Sequence, residues 1–145
     1  MNTKTIIITG TSSGIGFVLA EYFGKKGHKV YGLSRKHTES AYFTSIPTDV
    51  TDNDAVQNAI AEVLKTETRI DVLINNAGMG MVGAVEDSSK EDILKLFNLN
   101  LVGAVQMMTA VMPKMRENKF GQIINVSSIG SEMGLPFRGF YSASK

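Results

Sequence analysis

A chain of 145 residues, 43% hydrophobic and 20% charged, has the length and make-up of one globular domain with a real core. Fifteen basic residues against 14 acidic ones leave a net charge of +1, so no basic field exists to grip nucleic acid or an anionic membrane surface, and neither is expected as a partner. The lack of cysteine excludes disulfides, thiolate zinc sites and cysteine nucleophiles, and no metal site is expected.

The N-terminal apolar run is too short for a signal-peptide core or a membrane span, and a cytoplasmic protein is the expectation. Residues 4–9 are rich in β-branched side chains and end at Gly10, the pattern of a strand buried on both faces. From Ile15 the period changes. Ile15, Val18, Leu19, Tyr22 and Phe23 share helical spacing and predict one apolar helix face that ends at Gly27. Residues 30–33 are a second strand with a polar stretch behind it at 34–37, residues 38–43 carry no clear pattern, and a third short strand is expected at 44–48.

Thr51 with Asp54 resembles a capping box for a helix whose apolar face is Val56, Ala59, Ile60, Val63 and Leu64. Residues 71–75 are strand four, and a loop rich in Gly and Met runs from Asn76 to about Asp87. Ser88 with Glu91 caps a long helix bearing Ile93, Leu96, Phe97, Leu101, Val105, Met108 and Met112, which Asn118 and Gly121 break. Residues 122–126 are strand five, 127–139 a loop, and a helix starts near Tyr141. Strands apolar on both sides, alternating with helices, predict an α/β fold: a doubly wound parallel sheet joined by right-handed crossovers. Residues 1–145 form one domain, with no linker or low-complexity tract.

Between the first strand and the first helix lies Thr9-Gly10-Thr11-Ser12-Ser13-Gly14-Ile15-Gly16. Gly10 permits a sharp exit from the strand, and Gly14 and Gly16 would let a pyrophosphate approach the free N–H groups at the helix start. The alternative is a flexible turn that serves only helix–strand packing. At the end of strand two, an acidic residue would suit the ribose diol of NAD, but the chain has Ser34-Arg35-Lys36 there. Two cations suit a 2′-phosphate, so NADP is favoured over NAD; a merely solvated loop is the bland alternative.

Together these residues resemble the short-chain dehydrogenase/reductase family. Gly10, Ser12, Ser13, Gly14, Ile15 and Gly16 resemble its cofactor loop; Asn75-Asn76-Ala77-Gly78 resembles its strand-four motif; Asp49-Val50 is similar to the pair that holds the adenine ring. Asn100, Ser128, Tyr141 and Lys145 match its four catalytic positions, with the serine thirteen residues before the tyrosine. The match covers the chain from residue 4 onward. It implies a Rossmann-type fold and an oxidoreductase that moves a hydride between NADP(H) and a small carbonyl or alcohol substrate. It also implies a homodimer or tetramer formed through helix 101–115. Gly134-Leu135-Pro136-Phe137 resembles the corresponding loop of steroid-type members, but acyl-carrier, steroid, sugar and small aldehyde substrates all stay open.

The chemistry follows from the groups. Tyr141 and Lys145, four apart, share a helix face. A phenol with an ordinary pKa near 10 works poorly at neutral pH, and a neighbouring ammonium favours its phenolate. Ser128 would hydrogen-bond the substrate oxygen as charge develops. The resemblance implies that Lys145 also holds the nicotinamide ribose and that Asn100 holds a relay water at a helix break. Each residue has a plainer reading: Ser128 as a loop cap, with Ser127 a spare hydroxyl, Asn100 as a solvent-facing helix residue, Tyr141 as a packed aromatic, Lys145 as a solvated end. His28 and His37 are read as surface residues, and the Met79/Met81 and Met107/Met108 pairs as packing.

Family members continue past the lysine, so the resemblance implies an N-terminal portion with about five strands present and the last two absent. In the family's strand order, 3-2-1-4-5-6-7, strand five then becomes an exposed apolar edge, and a five-residue terminal helix has too little length to be stable alone. Other expectations are a regulatory NADP-binding sensor, which needs the glycine loop but not Tyr141 and Lys145, and an inactive fragment of the reductase.

Overall fold

A computed structural model describes residues 2–145. Five strands, β1 (Thr5–Thr9), β2 (Lys29–Ser34), β3 (Thr44–Pro47), β4 (Val72–Asn75) and β5 (Gln122–Asn125), form one parallel sheet in the order β3-β2-β1-β4-β5. The register sets Ile7 of β1 between Tyr31 and Leu73. Successive side chains of β1 point to opposite faces, so its isoleucines feed two cores. Ile7 and Leu73 join Val56, Ala59, Ile60 and Val63 of α2 (Asn53–Thr66) and Met107, Val111 and Met115 of α4 (Gly103–Glu117). Ile6, Ile8, Val30 and Ile74 meet Ala20 of α1 (Gly14–Lys25) and Phe43 on the other face. The expected doubly wound α/β sheet is thus present, and β5 lies at its edge with Ile124 40% exposed.

Three local expectations need correction. The buried face of α1 is not Ile15, Val18 and Tyr22, which are exposed, but Gly16 and Ala20 flanked by Phe17, Leu19 and Phe23. Small residues let this helix approach the sheet closely, with Phe17, Leu19 and Phe23 packed beside them, while Ile15, Val18 and Tyr22 point to solvent. The cap of α2 is Asp52, whose carboxylate accepts the Asp54 and Ala55 N–H groups, rather than Thr51. The cap of α3 (Lys90–Phe97) is Ser89, which accepts the Asp92 N–H, rather than Ser88, whose hydroxyl donates to the Ala84 carbonyl.

The long predicted helix is α3 and α4 joined by a π-helical turn, Asn98–Val102. By length and composition the run Lys90–Glu117 could cross a membrane, but Leu96, Met107, Val111 and Met115 bury their side chains within the fold, as a layer helix of an α/β sheet does. The C-terminal ends of β1, β4 and β5 lie side by side and deliver Gly10, Asn76 and Ser128 to one edge of the domain, where open α/β sheets bind ligands.

Candidate active site

The exit of β1 is tied to the exit of β4. Thr9 Oγ1 accepts the Asn76 and Ala77 N–H groups at 3.0 and 2.9 Å, and Asn76 Nδ2 donates to the Thr9 and Gly10 carbonyls at 3.0 and 3.3 Å. Gly10 adopts φ +74°, and a Cβ there would lie 2.9 Å from Ala77 Cα, so both backbone conformation and space require glycine. Gly16 has a packing role besides the one expected: its missing Cβ would sit 2.3 Å from the Gly10 carbonyl oxygen and 2.5 Å from Asn76 Nδ2, so this glycine seats α1 on the loop. Ser13 precedes α1 without a side-chain cap, which leaves the first-turn N–H groups open to an anion.

Beside this loop lies a cleft of about 520 Å³ lined by Gly10, Ser12, Ser13, Ser34, Arg35, Asp49, Val50, Asn76, Ala77 and Gly78, together with Lys95 and Leu99. Gly14 and Ile15 stand exposed outside its lining. Ser34 spends its hydroxyl on the Lys36 carbonyl at 2.7 Å and so shapes the turn that presents Arg35. Asp49 Oδ1 accepts the Thr51 N–H at 2.9 Å and the Thr51 hydroxyl at 2.7 Å. These bonds, with a smaller contribution from the Arg35 charge, hold its carboxyl below the ordinary value of 3.8. An uncapped helix start, a glycine cradle, an exposed arginine and an ionised carboxylate along one cleft fit a dinucleotide.

The four candidate catalytic residues come from three places and converge. Asn100 sits in the π-helical turn and is buried. Its Oδ1 accepts the Met79 N–H at 2.9 Å, while Nδ2 donates to the Met79 carbonyl at 3.0 Å and to Ser144 Oγ at 2.8 Å. Both amide protons are therefore engaged by protein and the residue is buried, which corrects the idea of a solvent-facing residue, while Oδ1 keeps its second lone pair. Ser128 caps a short 3-10 turn, Ile129–Ser131, by accepting the Gly130 N–H at 3.1 Å. Lys145 Nζ donates to the Val126 carbonyl at 2.7 Å.

Two glycines hold these groups together. A Cβ on Gly78 would lie 3.1 Å from Asn100 Oδ1 and 3.5 Å from Lys145 Nζ; one on Gly130 would lie 3.5 Å from both Ser128 Oγ and Tyr141 Cε1. Tyr141 and Lys145 ride on α5 (Gly139–Ser144) and the residue just after it. That helix is too short to persist alone, and tertiary bonds fix it: Ser144 to Asn100, and the Ser127 hydroxyl to the Lys145 carbonyl at 2.7 Å. Arg138 lies over the Tyr141 ring at 5.5 Å. Thr9 opened the glycine-loop motif, but its bonds to Asn76 and Ala77 were not legible there, and Lys95, Ser127 and Ser144 had no signal of their own, because each matters through a partner far along the chain. Ser127, read there as a spare hydroxyl, is engaged.

A family model described as short chain dehydrogenase matches residues 4–145. Among curated proteins the chain is similar to a 3-ketodihydrosphingosine reductase of Bacteroides thetaiotaomicron, 46% identical over 146 residues that cover 100% of this chain and 54% of the relative. Among solved structures it resembles a short-chain dehydrogenase from Streptomyces avermitilis, with TM-score 0.92 and 33% identity over 99% of this chain and 56% of that one. It also resembles ElxO with NADP bound, with TM-score 0.91 and 31% identity over 99% of this chain and 62% of that one. The chain spans about half the length of the curated relatives it matches.

Proposed function

The chain belongs to the short chain dehydrogenase family, and on that premise we propose that the protein interconverts a small carbonyl compound and its alcohol with NADP(H). The observation that carries this reading is the convergence just described, in which Gly78 packs on Asn100 and Lys145 while Gly130 packs on Ser128 and Tyr141. A nucleotide sensor would need the glycine loop but not that cluster.

Bound nicotinamide supplies the hydride in reduction and takes it back in oxidation. In reduction Tyr141 gives its phenolic proton to the substrate oxygen; in oxidation its phenolate takes the alcohol proton. Lys145 uses one ammonium proton on Val126 and keeps two for the phenolate and the cofactor ribose. Ser128 accepts from Gly130, and its own O–H has no acceptor among the described residues, so that proton is available to the substrate oxygen. Asn100 anchors the loop at Met79 and the helix of Tyr141, and it stands at the helix break where the family resemblance puts a relay water.

Arg35 and Lys36 at the end of β2, with no carboxylate there, support NADP over NAD, as does the likeness to ElxO with NADP bound. Gly10, Ser12, Ser13, Arg35, Asp49, Val50, Asn76, Ala77 and Gly78 would line the cofactor. Pairing of two copies through helix 101–115 is supported by the exposed Leu101, Val102 and Val105. A cytoplasmic location fits a cysteine-free chain and a nicotinamide cofactor.

The test is NADPH oxidation by the product of the complete reading frame against a panel of ketones, with 3-ketodihydrosphingosine first because of the Bacteroides relative. Tyr141→Phe should keep NADPH binding and lose turnover. Binding without turnover on any ketone, in the parent protein, would favour the sensor.

A further inference from the structure

We propose that Ser144 is a positioning residue for the Tyr141–Lys145 pair, a role that rests on the oxidoreductase reading above. Ser144 is 8% exposed and is the one buried residue of its six-residue helix. A serine hydroxyl has one proton and two lone pairs. Here the proton goes to the Tyr141 carbonyl at 2.8 Å, and a lone pair takes the Asn100 Nδ2–H at 2.8 Å. The first bond closes the turn that carries Tyr141. The second fastens that turn to the π-helical segment of another helix, 44 residues away in sequence.

Asn100 can hold Ser144 in one orientation only. Its amide is clamped on both sides by the Met79 N–H and carbonyl, so flipping it would set donor against donor and acceptor against acceptor. The result is a continuous path from the Met79 loop through Asn100 and Ser144 to the backbone of Tyr141. Ser144 also directly precedes Lys145, whose ammonium and carbonyl are held separately by Val126 and Ser127. Removing the Ser144 hydroxyl leaves a buried Asn100 N–H unpaired and detaches α5 from Asn100, while every reacting group stays in the chain. Small displacements of a proton donor are costly to rate and cheap to binding, so the effect should fall on kcat.

The variants are Ser144→Ala and the isosteric pair Ser144→Thr and Ser144→Val, which differ only in the hydroxyl. In the product of the complete reading frame, Ser144→Ala should lower kcat by roughly 10- to 100-fold while KM and the NADPH Kd stay within about two-fold. Ser144→Thr should recover most of that loss and Ser144→Val should not. Hydrogen exchange followed by mass spectrometry should show faster exchange at residues 139–145 in the Ala and Val variants, with the sheet unchanged. Equal kcat in the Thr and Val variants, or unchanged exchange of α5 in the Ala variant, overturns the positioning role. The exchange result stands without turnover: a parent that oxidises no NADPH contradicts the oxidoreductase reading, whereas altered exchange in the variants still supports the link between Asn100 and α5.

Discussion

At the scale of single residues, charge at the nucleotide end of the cleft has two consequences. Arg35 stands exposed at the cleft, where the proposed NADP would place its 2′-phosphate. Arg35→Ala should weaken NADPH binding by roughly 10- to 100-fold, the worth of one charge-assisted contact, and change NADH binding far less; fluorescence titration measures both. Asp49 keeps its folded pKa below the ordinary 3.8 through the Thr51 N–H and hydroxyl. A carboxyl so depressed contributes stability that is complete above its unfolded value and is lost as pH falls through the folded one. The parent should therefore lose more Tm than Asp49→Asn between about pH 5 and about pH 2, and calorimetry at matched pH reads the difference. Tyr141, Lys145, Ser128 and Asn100 could each be named from the family resemblance. Ser144 and Ser127 could not, since a serine announces nothing until a partner 44 or 18 residues away is known.

At the scale of elements, caps and faces show where sequence patterns run out. Thr51 and Asp52, or Ser88 and Ser89, are equally good capping residues side by side, and only the backbone decides between them: Asp52 takes φ −102° and ψ 111°, and the helix begins after it. Asp52→Ala should accordingly cost about 1 kcal/mol in urea denaturation. The apolar spacing on α1 identified a helix but not its buried side, because Gly16 and Ala20, the residues that meet the sheet, carry almost no hydrophobic weight. Gly16→Ala should destabilise the fold by about 1–3 kcal/mol, since the nearest obstacle is the Gly10 backbone carbonyl. The same variant should weaken NADPH binding, because the loop can accommodate the methyl only by shifting. The π-helical turn had a hint in the break expected near Asn100, but one extra residue in a helical turn leaves no trace in hydrophobic periodicity.

For the whole molecule, the alternation of apolar strands and amphipathic helices was enough to read a parallel sheet, and the order β3-β2-β1-β4-β5 agrees with the order that the family resemblance implied. Long-range packing was not readable in that way: the seating of α5 on Asn100 and Gly130, and the cleft that brings Lys95 of α3 toward Asp49, arise only when the crossovers close. An exposed stripe at Leu101 and Val105 gives the proposed pairing of two copies a testable face. Light scattering should find a dimer or tetramer for the parent and a smaller species for Leu101→Asp combined with Val105→Asp.

The central claim, that this cleft and the Tyr141–Lys145 pair serve one hydride-and-proton transfer, is tested most directly by comparing the parent with Tyr141→Phe. Both should be assayed as the product of the complete reading frame, with NADPH binding and NADPH oxidation in the presence of a ketone followed side by side. The account predicts equal NADPH affinity and a loss of turnover of roughly 10²- to 10⁴-fold in the variant. Turnover within a few-fold of the parent would contradict it.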